Sequence, residues 1–89
     1  MKTIISVLGK DRPGIVAGIS TALYGLNANI LDISQTIMDG FFTMTMLVDM
    51  SGSTKLFNEA TASVIAAGEP LGVKVRVQRV EIFEAMHKL

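Results

Sequence analysis

Hydrophobic positions along this chain follow two rhythms, one of period two and one of period near four, and the switches between them outline the fold. Residues 2–8 place Ile5 and Val7 on one face of an extended segment and Ile4 and Leu8 on the other, as a central strand with apolar side chains on both sides would. From residue 15 the period changes. Ile15, Ile19, Leu23 and Leu26, joined by Ala22, recur at helical spacing and form one buried stripe. Pro13 and Gly14 open this helix, since proline is tolerated in a first turn, where its missing donor is not needed. Asn27-Ala28-Asn29 ends it with residues that accept left-handed geometry. A second strand is predicted over residues 30–38, and Asp39-Gly40 is the two-residue signal of a type I′ hairpin turn.

The return strand has the clearest alternation. Phe42, Met44, Met46, Val48 and Met50 share one face, predicted to lie under helices, while Phe41, Thr43, Thr45, Leu47 and Asp49 share the other. That second face is half polar and is expected to meet water or another subunit. Ser51 or Ser53 is the expected cap of a second helix with the stripe Leu56, Ala60, Val64 and Ala67, with no Glu or Gln at N3 to complete a capping box. Its end falls between Gly68 and Gly72: Gly68 with Pro70 argues for an early stop and Gly72 for a late one. Val73, Val75 and Val77 alternate with Lys74, Arg76 and Gln78, an edge strand whose charged side discourages stray pairing. In residues 80–89, Ile82, Phe83, Met86 and Leu89 have helical spacing, but a helix so short must lie on something.

The order β-α-β-β-α-β, with right-handed crossovers and one hairpin, predicts an α+β ferredoxin-like sandwich. Its four-stranded antiparallel sheet carries two helices on one face, and a short C-terminal helix follows. Residues 1–89 are expected to form a single domain, with 79–89 as its helical tail.

Composition narrows the function. Eight Lys plus Arg balance eight Asp plus Glu, which removes the basic excess of a polyanion binder, so nucleic acid is not an expected partner. The absence of cysteine excludes disulfides, thiolate nucleophiles and cysteine-based metal sites, and fits a reducing cytoplasm. Neither a signal peptide nor a membrane span is expected. A chain of 89 residues has a thin core, and a second subunit is expected to supplement it.

Ferredoxin-like folds host many activities. An RNA-recognition module needs two or three aromatic rings on its open face, and only Phe41 stands there. A heavy-metal carrier needs a CxxC pair in the first loop, which here holds Lys10, Asp11 and Arg12. An acylphosphatase needs an arginine and an asparagine converging on a phosphate; Arg12 with Asn27, Asn29 or Asn58 supplies the residue types, but the loop lacks the glycine run that cradles phosphate.

The combination Asp11-Arg12-Pro13-Gly14-Ile15-Val16, then Asn29-Ile30 with Asp32 and Gln35 downstream, resembles an ACT domain, a small regulatory module that senses amino acids in many metabolic enzymes. The C-terminal VEIFEAMHKL is similar to the tail of small stand-alone bacterial and archaeal ACT proteins. The resemblance covers the whole chain. It implies amino-acid binding between the first strand-helix loop and a neighbouring subunit, with Asp11, Arg12, Pro13, Gly14, Ile15, Asn29, Ile30 and Gln35 as the candidate site. One departure stands out. Amino-acid-binding members often carry an asparagine or histidine two or three positions before Pro-Gly, where this chain has Asp11 and Arg12, so no glycine or serine specificity carries over.

Physical chemistry points to the same loop independently. Glycine at position 14 lets backbone approach a ligand, and the N–H groups opening a helix favour an anion. Arg12 can grip a carboxylate in two prongs, and Asp11 can meet an ammonium group. Read without a ligand, Asp11 and Arg12 are a solvated turn, Pro13-Gly14 is punctuation and Asn29 a helix-stop residue. His87, the lone histidine, reads as a surface or interface residue, and the methionines of the return strand as core filler. Glu81 and Glu84 have the spacing of a carboxylate pair but no cleft around them. Tyr24 is expected at the rim with its hydroxyl wet.

The resulting expectation is a non-catalytic homodimeric module that binds a small ligand resembling an amino acid and uses no cofactor or metal. The dimer rests on the thin core, the open face with Phe41 and Leu47, and the apolar tail. The alternative is an adaptor that docks a metabolic enzyme or regulator without a ligand. An acylphosphatase-like enzyme comes third.

Overall fold

Strand β1, Lys2–Lys10, enters the interior with Ile5 and Val7 pointing to one side, and both are almost fully buried. The computed structural model describes residues 2–81. Helix α1 (Ile15–Gly25) follows β1, then strands β2 (Asn29–Met38) and β3 (Phe41–Asp49), helix α2 (Phe57–Gly68), and strand β4 (Val73–Arg79). All pairings are antiparallel, in the order β2-β3-β1-β4. This is the ferredoxin-like architecture, a four-stranded antiparallel sheet with two helices. Residues 82–89, with Ile82, Phe83, Met86, His87 and Leu89 of the expected C-terminal helix, lie outside the described residues.

Local chemistry explains the turns. Asp39 and Gly40 both have positive φ (52° and 81°), as a type I′ turn demands. Asn27 ends α1 in the left-handed region with φ 56°. Its N–H donates to the Tyr24 carbonyl and that of Ala28 to the Leu23 carbonyl, both at 3.0 Å, which is a Schellman closure. The second helix needs both stops that its sequence offers. Helix α2 ends at Gly68, a 3-10 turn spans Glu69–Leu71, and Gly72 (φ 72°) releases the chain into β4.

The core lies between the helices and one face of the sheet. Phe42, Met44, Met46 and Val48 of β3 pack there with Ile15, Ile19 and Leu23 of α1 and Ala60 and Val64 of α2. β4 is an edge strand with Val73 and Val75 inward and Lys74 and Arg76 outward.

The start of α2 departs from expectation. Neither Ser51 nor Ser53 caps it, and Leu56 occupies the cap position with 74% of its surface exposed, outside the apolar stripe. The serines have other tasks. Ser51 donates from its backbone N–H and its hydroxyl to Asp49 Oδ1, at 2.9 and 2.6 Å, and Ser53 Oγ accepts from Lys55 N–H at 3.2 Å. Glu59 stands at N3 of the helix that actually forms, and its Oε1 accepts the Leu56 N–H at 3.4 Å.

At the other sheet edge, every residue of β2 is exposed. Ile33, Gln35 and Ile37 pair with Met46, Met44 and Phe42 and so share the helix-side face, yet among the described residues no helix shields them. Among the described residues no helix is long and apolar enough to cross a membrane.

Candidate functional site

The loop after β1 sits where three turns converge at one end of the sheet. Lys10 pairs with Phe41, which brings the Asp39-Gly40 hairpin beside the loop, and Asp11 N–H donates to the Gly40 carbonyl at 2.9 Å. Antiparallel pairing of Gly9 with Val73 brings the turn between α2 and β4 to the same end. Arg12 leans across to that turn, with Nη1 3.5 Å from the Pro70 carbonyl oxygen. A contact so long is at the limit of hydrogen bonding, and the guanidinium fork presents five donors in all.

Gly14 begins α1 in the left-handed region at φ 90°, and its carbonyl accepts the Gly18 N–H at 2.8 Å. Among the described residues no side chain caps this helix. A Cβ built on Gly14 would meet no atom within 4 Å, so the space beside the first turn is open. The first N–H groups of a helix have no partner within it and carry its positive dipole end. An exposed cation and an exposed carboxylate, Arg12 and Asp11, flank them. The arrangement suits an anionic group at the helix start with a cationic group beside it.

Of the candidate residues, Asp11, Arg12, Pro13, Gly14 and Ile15 are contiguous here. Ile15 is buried in the core by its side chain, so only its backbone faces the loop. Asn29 and Ile30 stand elsewhere. Asn29 pairs with Asp49, which also pairs with Lys2, at the opposite end of the sheet. The nine residues of β1 separate the two ends by roughly 30 Å at the usual strand rise. Gln35 lies between, exposed on the helix-side face of β2, and Asp32 Oδ1 accepts the Ile33 N–H at 2.8 Å. Asn27 Nδ2 donates to the Gly52 carbonyl at 3.0 Å, tying the end of α1 to the loop before α2 rather than serving the Arg12 loop. Tyr24 is exposed as expected.

Two features escaped sequence reasoning. The tie from Asp11 to Gly40 follows from β1 pairing with β3, which the topology implied but no residue type signalled. The exposure of β2 on both faces depends on where the helices sit, which periodicity does not encode. Among the described residues no cluster of three or more His, Cys, Asp or Glu could hold a metal ion.

Comparison with known proteins bears on this site. A family model described as the ACT domain matches residues 2–78. The chain is 56% identical over 89 residues to a UPF0237 protein of Listeria monocytogenes, covering 100% of both chains. Among solved structures, an ACT domain protein from Streptococcus pneumoniae superposes with a TM-score of 0.82 at 46% identity, covering 97% of each chain. The regulatory subunit of aspartate kinase from Thermus thermophilus, at 20% identity, shares the fold with a TM-score of 0.67 over 86% of this chain and 50% of that one.

Proposed function

The chain belongs to the ACT domain family, and from that premise we propose that it is a non-catalytic regulatory module that binds an amino acid, acts as a homodimer and works in the cytoplasm. The observation that carries this reading is the uncapped start of α1 at Gly14, open to approach and flanked by Arg12 and Asp11. The helix start and the Arg12 guanidinium take the carboxylate, and Asp11 takes the ammonium group. An amino acid brings both charges to one small molecule. Regulatory use of the same fold is the stated role of the Thermus aspartate kinase subunit, which supports the reading by analogy.

A second copy accounts for the remoteness of Asn29. β2 is an exposed edge strand, and antiparallel pairing with β2 of another copy sets Asn29 of the partner subunit beside Met38, at the end where Asp11 meets Gly40. Gln35 then faces the same seam. Each loop thus gains from its neighbour the asparagine that its own chain places far away. The exposed apolar side chains of β2, Ile33, Ile37 and Met38 among them, become buried in that dimer.

The test is a thermal-shift series with the twenty amino acids. At least one is expected to raise the melting temperature in proportion to the logarithm of its concentration above Kd, and Arg12→Ala is expected to abolish the rise. Silence from all twenty would favour the adaptor reading, in which the chain docks a metabolic enzyme or regulator and binds no small ligand.

A further inference from the structure

Among the described residues nothing covers the face of the sheet opposite the helices. Ile4, Ser6 and Leu8 of β1 lie on it between Lys2 and Lys10, and β4 adds Lys74 and Arg76. The face holds a trough of about 260 Å³ lined by Ile4, Leu47, Thr45, Ser34 and Asp32, with Ile33 at its margin. Beyond the trough it exposes Leu8 (52%) and Phe41 (54%). The trough is smaller than the roughly 300–1,000 Å³ of ordinary small-molecule sites, and its size suits one or two apolar side chains.

We propose that a second copy of the chain covers this face, sheet against sheet, about a two-fold axis that runs along the strands between β1 and β3. Charge selects both the occupant and the axis. Such an axis exchanges the two central strands, so each open-face residue of β1 lies over the residue of the partner's β3 that it pairs with in its own sheet. Lys2 then lies over the partner's Asp49, Lys10 over the partner's Phe41 ring, and Ile4 over the partner's Leu47, where it enters the trough. The outer strands exchange likewise. The cations Lys74 and Arg76 of β4 come to lie over β2, whose one charged residue is Asp32. Packed sheets keep their strands nearly aligned, and the other aligned choice is an axis across the strands. That axis lays β4 over β4 and Lys2 over Lys10, cation on cation. Area agrees with the first choice. Four strands about 4.8 Å apart and the nine residues of β1 at about 3.3 Å each make a face of roughly 19 × 30 Å, so two copies bury ~1,100 Å², just past the ~1,000 Å² that a specific interface clears. A contact at that lower limit is expected only in concentrated protein. It uses neither the Arg12 loop nor the β2 edge.

The full-length Ile37→Lys chain isolates this contact, because the charge it places on β2 opposes pairing along that edge. From about 1 µM to about 1 mM this variant is expected to pass from monomer to dimer in sedimentation. Over the same range hydroxyl-radical labelling of Leu8, Leu47 and Phe41 is expected to fall about threefold, while labelling of the exposed Tyr24 holds. Adding Leu47→Lys is expected to keep the protein monomeric throughout. A short amine-reactive cross-linker, applied to a mixture of isotope-labelled and unlabelled protein and read by mass spectrometry, is expected to join Lys2 to Lys2 and Lys10 to Lys10 between copies. A monomer at every concentration overturns the proposal. So does a dimer in which Leu8, Leu47 and Phe41 label as they do in the monomer, which puts the contact elsewhere. Low labelling of the three at every concentration overturns it as well, since the face is then covered within one chain. A link from Lys2 to Lys10 between copies overturns the axis and the proposal with it.

Discussion

Gly14 holds φ near +90° at the mouth of the loop, a conformation that L side chains adopt only with strain, and nothing crowds the place where a side chain would go. Gly14→Ala therefore tests backbone strain without steric overlap. A loss of about 1–2 kcal/mol in urea denaturation is expected, and an unchanged midpoint would argue against the left-handed conformation. Arg12 is a different kind of residue. Exposed and held only at 3.5 Å, it contributes little to folding, so Arg12→Ala should leave stability within about 0.5 kcal/mol while removing the ligand-induced thermal shift. Asp49 links a residue to pH. The Ser51 hydroxyl, and then the Ser51 backbone N–H, donate to its carboxylate and hold its pKa below the ordinary 3.8. A group lowered on folding stabilises the native state above its unfolded pKa, and that contribution is lost as pH falls through the folded value. The stability advantage of wild type over Asp49→Asn should thus be full at pH 6 and shrink below about pH 4, read as converging urea midpoints.

The two edges of the sheet show how unlike elements arise from similar strands. β4 guards its edge with Lys74 and Arg76, whereas β2 carries one charged residue, Asp32, beside a register shift between Ile30 and Asp32, and exposes Ile30, Leu31, Ile33, Ile37 and Met38 to solvent. If β2 pairs with its counterpart, Ile33→Lys or Ile37→Lys buries charge in the seam. Either variant should halve the mass seen in sedimentation at a concentration where the wild type is dimeric, with far-UV circular dichroism unchanged. A variant that stays dimeric would move the interface away from β2. The elements differ, too, in how legible they were. The alternation of β3, the Asp39-Gly40 turn and the Asn27 stop are local, and each is set by the stereochemistry of a few neighbouring residues. The start of α2 was misplaced because Asp49 claims Ser51, a competition visible only once β3 has ended where it does. The loop of the candidate site was legible in Pro13-Gly14 and its charges. The distance to Asn29 was not, because it is set by the length and direction of a strand rather than by any residue on it.

At the scale of the molecule, one layer of helices on one sheet gives a slab 35 × 34 × 19 Å across. A domain of this size buries only about 60–65% of its unfolded surface, so if the proposed dimer forms, association adds to its stability. For such a protein the melting temperature depends on protomer concentration, since a partner that binds only the folded state stabilises it by mass action. On the proposed reading, a ligand seated between the Arg12 loop and Asn29 of the partner subunit would couple to that equilibrium. Linkage is reciprocal: whatever factor the ligand adds to dimer affinity, dimerisation adds to ligand affinity. An amino acid that raises the melting temperature should therefore also draw a dilute, partly dissociated sample toward dimer in sedimentation, and its effect should weaken in Ile33→Lys although Arg12 is intact. A ligand that binds equally well to the dissociated variant would place the whole site within one chain, and Asn29, at the far end of the sheet, would have no part in it.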